Sequence, residues 1–224
     1  MCGRYTLHYT WREIYEQLQG FLDDMENPQL NVRPRYNIAP SQDVLSVVRD
    51  GDQPAFKTVS WGFVPFWKKD KKGPYPINAR IETVASSGMF RGALKAHRCL
   101  VIADGYYEWV VAEDGKKQPY RLIIGEAPQG ELFAFAGLWA HNETLETQSC
   151  TIITGPAAEQ ISYIHNRMPI ILRREDYKAW LSADNDTPMQ ALTHDRGNEL
   201  HGYKVSRAVN SSRSDEPAYI EPSD

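Results

Sequence analysis

Cys2 is the residue whose type and place could do covalent chemistry. Initiator methionine is commonly removed when a small residue follows, so loss of Met1 would leave Cys2 with a free α-amine and a thiol on adjacent carbons. An α-amine has a pKa of about 8 and a thiol of about 8.5, so a useful fraction of each is nucleophilic at neutral pH. Such a 1,2-aminothiol meets an aldehyde in two steps. The amine forms a Schiff base, and the thiolate then closes a five-membered thiazolidine ring. Met-Cys-Gly alone does not choose a reaction, because class II glutamine amidotransferases also expose an N-terminal cysteine.

Cys99 and Cys150 differ from Cys2 in context. They lie in Cys-Leu-Val-Ile and Cys-Thr-Ile-Ile, strand-like surroundings that suit a small buried hydrophobe. Three cysteines form no disulfide framework, and no Cys/His spacing fits a zinc site. No metal and no cofactor is expected. The net charge is −4, so long-range steering to nucleic acid is not expected and any such site must be a local basic groove. Two stretches could furnish one: Lys68-Lys69-Asp70-Lys71-Lys72, and Arg91 with Lys95, His97 and Arg98. The N-terminus has no apolar signal region and no run is long enough to span a bilayer, so a cytosolic protein is expected.

The elements that must position these residues follow from pattern. Thr10 and Glu13 form a capping box ahead of Trp11, Ile14, Tyr15 and Leu18 at helical spacing, stopped by Gly20. A loop is expected over 27–40 and a long ordered loop over 62–78. Strands are expected at 44–48, 56–61, 99–103, 106–111, 120–124, 132–138, 150–154, 169–172 and 201–205, with a turn at Asp50-Gly51-Asp52. Helices are expected at 81–96, 159–164 and 174–181. Short strands interrupted by helices outside any βαβ rhythm indicate one α+β domain with largely antiparallel sheets. Residues 211–224, with Asp215, Glu216, Pro217, Glu221 and Pro222, read as a flexible tail to a domain spanning 1–210.

Seven motifs occur in order: Met1-Cys2-Gly3-Arg4-Tyr5, Arg35-Tyr36-Asn37-Ile38-Ala39-Pro40, Trp61-Gly62-Phe63-Val64-Pro65-Phe66-Trp67, Ile77-Asn78-Ala79-Arg80-Ile81-Glu82-Thr83, Ala103-Asp104-Gly105-Tyr106-Tyr107-Glu108-Trp109, Ile164-His165-Asn166-Arg167-Met168-Pro169 and Val205-Ser206-Arg207-Ala208-Val209-Asn210. Over nearly the whole chain this series resembles the SRAP family, named for SOS response-associated peptidases. The resemblance implies a barrel-like core with flanking helices, and a monomer that shields abasic sites in single-stranded DNA by crosslinking to them through Cys2, nucleoid-associated when bound. It implies that Asn78 orients the α-amine and that Glu108 and His165 move protons during sugar-ring opening. It implies phosphate contacts from Arg4, Arg80 and Arg167, and a DNA channel lined or wedged by Pro40 and Trp67. Removal of Met1 by the protein itself and Schiff-base lyase cleavage are further implied activities. The roles suit the residue types. An imidazole transfers protons near neutrality, a carboxylate between aromatic residues is partly desolvated, and guanidinium forks match phosphate geometry.

The chain departs from the family pattern in three places. Asn166 stands where many members have Asp, Tyr106 where many have Trp, and Lys68 where some place a second tryptophan; Lys68 exchanges stacking for phosphate attraction. Two other readings remain open: amide hydrolysis by the N-terminal cysteine, as an amidohydrolase or peptidase, and non-covalent reading of modified or damaged DNA by Trp67, Arg80 and the basic loop.

Overall fold

The computed structural model describes residues 2–20, 30–50, 53–73, 75–182 and 184–223. Its elements in chain order are β1 (Tyr5–Leu7), α1 (Trp11–Gln19), β2 (Arg35–Ile38), β3 (Asp43–Asp50), β4 (Gln53–Trp61), β5 (Asn78–Arg80), α2 (Arg91–Ala96), β6 (Arg98–Ala103), β7 (Gly105–Val111), β8 (Lys117–Ile123), β9 (Phe133–Asn142), β10 (Thr147–Pro156), β11 (Arg167–Pro169), α3 (Tyr177–Leu181) and β12 (His201–Lys204). The smaller sheet runs β12-β8-β7-β1-β2. The larger runs β11-β10-β4-β3-β6-β9, and β9 pairs back onto β10, so five strands close into a barrel. Only β10 with β4 and β10 with β5 pair in parallel among the described strands. The α+β class, the antiparallel bias and the barrel-like core are as the sequence indicated.

Alternation fails in β6 and β9 because these strands are covered on both faces. All six residues of β6 are buried, which is why 99–103 reads as a continuous apolar run. Trp61, Phe133 and Phe135 fill the interior. Tyr5 of β1 reaches across to Trp61 and Phe135, with ring centroids 5.3 and 5.8 Å away, so the two sheets share one core. α1 starts as its capping box requires. The Thr10 N–H donates to the Glu13 carboxylate at 2.8 Å, and Ile14 and Leu18 are buried beneath.

Several expectations need correction. The helix expected over 81–96 exists only as α2. Before it the chain forms turns, because Ser86 Oγ donates to the Thr83 carbonyl and Ser87 Oγ accepts the Met89 N–H, offering the backbone an alternative to the helix. Of 159–164 only Glu159–Ile161 forms a 3-10 turn, Arg174–Asp176 forms another ahead of α3, and 170–172 contribute an isolated bridge from Ile171 to Phe135. Residues 35–38 form a strand inside the expected loop. The turn at 51–52, and the loop up to 29, lie outside the described residues.

The tail packs. Tyr219 and Ile220 are buried on a short 3-10 turn, and the Asp215 carboxylate accepts the Tyr36 N–H at 2.6 Å. Tyr107 Oη donates to the Tyr219 carbonyl at 3.2 Å, and the Ser223 N–H to the Lys204 carbonyl at 2.9 Å. Tyr219 joins Val205 and Val209 in covering Tyr107 on the outer face of β7. Arg98 is also not part of a surface groove. It is buried, and its guanidinium donates to the Leu94, Lys95, Trp180 and Ser182 carbonyls, holding the C-terminal ends of α2 and α3 with one charge.

Candidate functional site

The residues ahead of β1 run beside β7. Tyr5 pairs with Tyr106, and the Tyr107 N–H donates to the Arg4 carbonyl at 2.9 Å. This brings Cys2, fully buried, to the neighbourhood of Glu108. Burial pushes the Cys2 thiol far above its usual range, the Glu108 carboxylate raises it further, and a hydrogen bond from the Arg4 backbone pulls the other way. Glu108 is itself buried on the same face of β7 as Tyr106, two residues away.

Asn78 approaches from a different sheet. It opens β5, which lies parallel to β10 with Asn78 opposite Ile152. Its Nδ2 donates to the Cys2 carbonyl at 2.8 Å, while its Oδ1 is buried without a hydrogen-bond partner among the described residues. A group that grips the Cys2 backbone therefore keeps an open acceptor on the same amide. Cys2, Asn78 and Glu108, separated by most of the first half of the chain, form one site.

His165 lies further along β10 than Asn78, since Asn78 sits opposite Ile152 whereas Arg167, two residues after His165, sits opposite Pro156. It is half-buried in the turn before β11, and β11 and β5 both pair with β10. His165 Nδ1 lies 2.9 Å from the Arg167 N–H and 3.2 Å from the Arg167 carbonyl, so the ring is held against its own turn by that one nitrogen.

The three arginines separate into two kinds. Arg4 Nη1 donates to Asn37 Oδ1 at 2.6 Å and to the Val209 carbonyl at 3.0 Å, and its guanidinium lies over Trp109, 5.9 Å from the ring centroid. Arg167 clamps Glu82 with both ends of its fork, at 2.7 and 3.0 Å, and donates to the Thr154 carbonyl. Arg80 is exposed, and its side chain makes no hydrogen bond among the described residues. Glu82 pairs with Arg167 and feels the Arg80 charge only at longer range. Pro40 precedes Ser41, whose φ of 67° turns the chain from β2 into β3. Trp67 is 53% exposed beside Phe66 at 72%, on the loop after β4. Lys68 pairs with Asp70 at 3.1 Å and sits over Tyr75.

Sequence reasoning missed a buried polar core beneath this site. The Asp104 carboxylate accepts from Thr6 Oγ1 at 2.5 Å, from the His8 N–H at 2.5 Å and from Arg121 Nη2 at 2.9 Å, with both charged side chains fully buried. The pair fastens β1, and with it the segment carrying Cys2, to β7 and β8. The available signal was an arginine inside the apolar run Tyr120-Arg121-Leu122-Ile123, which demands a buried acid. Among the described residues no three His, Cys, Asp or Glu side chains are grouped to hold a metal. No helix there is long and apolar enough to cross a membrane.

Comparison with known proteins agrees over the full length. Residues 1–212 match the family described as SOS response associated peptidase (SRAP). The abasic site processing protein YoqW of Bacillus subtilis is 39% identical, over 99% of each chain. YedK of Escherichia coli, with the same description, is 31% identical over 99% of this chain and 100% of its own. The chicken (Gallus gallus) abasic site processing protein HMCES is 33% identical over 85% of this chain and 66% of its own. A crystal structure from Bacteroides thetaiotaomicron superimposes with a TM-score of 0.78 over 99% of this chain and 100% of its own, at 20% identity, which speaks for the fold.

Proposed function

We propose that this chain, which belongs to the SOS response associated peptidase (SRAP) family, captures abasic sites in single-stranded DNA as a covalent adduct of Cys2. The observation that carries the reading is the hydrogen bond from Asn78 to the Cys2 carbonyl, with Glu108 acting on the same residue's thiol. Two elements remote in sequence are spent on one N-terminal cysteine.

With Met1 removed, the Cys2 amine adds to the C1′ aldehyde of the opened deoxyribose, and loss of water gives the Schiff base. The thiol then adds across the C=N bond. Sulfur bonds to C1′, the nitrogen takes up a proton, and the thiazolidine closes with no net redox change. Asn78 holds the carbonyl with Nδ2 and accepts an amine hydrogen on Oδ1, which aligns the amine without forcing it to stay protonated. Glu108 receives the proton that a buried thiol must give up as the C–S bond forms. His165 exchanges a proton with the sugar oxygen as the ring opens and closes. Arg80, whose fork is open, takes a backbone phosphate; Arg4 and Arg167 line the same path while tethered to the protein, and Pro40 and Trp67 bound the channel.

Incubation of the purified protein with an oligonucleotide containing one abasic site should yield an adduct that survives a denaturing gel, and an intact mass lacking Met1. Cys2→Ala should yield no thiazolidine adduct. A stable adduct of normal abundance from Cys2→Ala, or full activity with Met1 attached, would sink the assignment.

A further inference from the structure

β7 carries two adjacent tyrosines, both fully buried, whose hydroxyls are treated differently. Successive residues of a strand face opposite sides of the sheet. Tyr107 points to the outer face, where its Oη meets the Tyr36 carbonyl at 2.8 Å and the Tyr219 carbonyl at 3.2 Å. Tyr106 points the other way, onto the face it shares with Glu108, and its ring stands edge-on to Phe135 with centroids 6.1 Å apart. Its Oη has no hydrogen-bond partner among the described residues. A buried hydroxyl left in that state costs the fold a desolvation that a phenylalanine would not. Packing therefore does not account for the oxygen.

Position ties that oxygen to Cys2. Tyr106 pairs across β1 and β7 with Tyr5, three residues after Cys2, and Glu108 follows two residues along the same face. Burial raises the Tyr106 phenol well above its ordinary range; Cys2 raises it further, and Glu108 after that. A phenol so raised keeps its proton through neutral and mildly alkaline pH, so it can donate a hydrogen bond but cannot serve as a base. Tyr5 Oη also lacks a partner among the described residues, but the charge that raises it most is that of Cys150, inside the barrel.

We propose that Tyr106 is a further catalytic residue of the Cys2 reaction, its Oη–H donating to the Cys2 sulfur as the thiol gives up its proton. In the resting site the sulfur is a protonated thiol, a weak acceptor that offers the hydroxyl little. When Glu108 takes the thiol proton, the sulfur becomes an anion in a buried site, where a preorganised donor has its greatest effect. As the C–S bond forms, a sulfur electron pair goes to C1′ and the hydrogen bond is released. Tyr106 keeps its own proton throughout, so the balance of thiazolidine closure is unchanged. The inference rests on the preceding reading of Cys2 as nucleophile and Glu108 as its proton acceptor.

Tyr106→Phe removes one oxygen and keeps the ring against Phe135. Since many family members have Trp at this place, loss of the hydroxyl should slow the reaction rather than abolish it. Adduct formation with an abasic oligonucleotide, followed on denaturing gels, should slow by about tenfold, the scale of a hydrogen bond to a charged group. Alkylation of Cys2 by iodoacetamide, in Cys99→Ala/Cys150→Ala protein so that one thiol reports, should slow equally, its rate-against-pH curve moving up by about one pH unit. The urea midpoint should hold or rise, because an unpartnered hydroxyl is gone. A merely structural hydroxyl gives the opposite signs: a lower midpoint, and faster alkylation as the site loosens. Either of those results, or an unchanged rate in either assay, overturns the inference. Alkylation needs no DNA, so an unaltered protein that forms no adduct counts against the Cys2 reading, while the pH curves still decide whether hydroxyl and sulfur interact.

Discussion

Three cysteines of this chain are fully buried, and burial raises all three thiols, yet two regions use the same side chain to opposite ends. Cys99 on β6 and Cys150 on β10 sit inside the barrel, where their neighbours are apolar and their backbone carbonyls serve the Trp180 indole and the Gly62 N–H. Cys2 sits at the seam between the two sheets, under Asn78 and beside Glu108. The difference teaches that neither exposure nor thiol acidity sets the proposed nucleophile apart from the other two cysteines. What marks it is a set of polar groups spent on it, together with a place in the chain that can liberate an amine.

The comparison breaks most sharply by deletion. Cys2→Ala should abolish the denaturant-stable adduct altogether. Cys99→Ala and Cys150→Ala should leave its yield intact while lowering stability by about 0.5–3 kcal/mol through lost packing, measured by urea unfolding. An adduct lost from either barrel variant at full folding would erase the distinction. Next in size, Glu108→Gln should slow adduct formation by about 10²- to 10⁴-fold, the usual range for general acid–base groups. The same change removes the negative charge that raises the Cys2 thiol, so alkylation of Cys2 by iodoacetamide should become faster. Opposite signs in the two assays separate proton transfer from simple access to sulfur.

A smaller effect follows from the raised thiols themselves. A thiol held protonated in the folded state but free to ionise at about 8.5 when unfolded binds more protons in the native form at alkaline pH. Its stabilising contribution is complete below the unfolded value and is lost as pH rises above it. Thermal stability should therefore fall from about pH 8.5 upward, and Cys99→Ala/Cys150→Ala should fall less steeply between about pH 8 and 10 than the unaltered protein, despite starting lower. Parallel curves would show that the barrel thiols do not titrate with unfolding.

How much of this was legible in the sequence depended on whether the determining contact was local. The Thr10–Glu13 capping box and the apolar runs of β3, β4, β6 and β9 were readable because a few adjacent residues decide them. β1, β2 and β5 were not, since strands of three or four residues carry no period and exist only through their partners. The Ser86-Ser87-Gly88 turn was lost inside a helical pattern. Arg98 looked like a surface cation because nothing in its neighbours announces four distant or helix-terminal carbonyls. Asn78, Glu108 and His165 were named through resemblance. Asn78 and Glu108 meet at Cys2 by a strand pairing that spacing alone cannot convey.

The finest contrast is among the arginines, and it yields the smallest expected effect. Arg167 is spent on Glu82 and the Thr154 carbonyl, whereas Arg80, two strands away across β10, has no bond to lose. A phosphate bound to Arg80 displaces counterions when single-stranded DNA docks, each contributing about 0.7 to the slope of log affinity against log salt. Arg80→Ala should therefore lower that slope by about 0.7 and leave thermal unfolding nearly unchanged, because an exposed guanidinium that attracts the exposed Glu82 without hydrogen-bonding to it adds little to stability. Arg167→Ala should instead destabilise the fold, since it breaks the tie from β11 to the Thr154 carbonyl of β10. If Arg80→Ala unfolds earlier than Arg167→Ala while the salt slope stays fixed, the division between a grip on DNA and a grip on the barrel has been drawn the wrong way round.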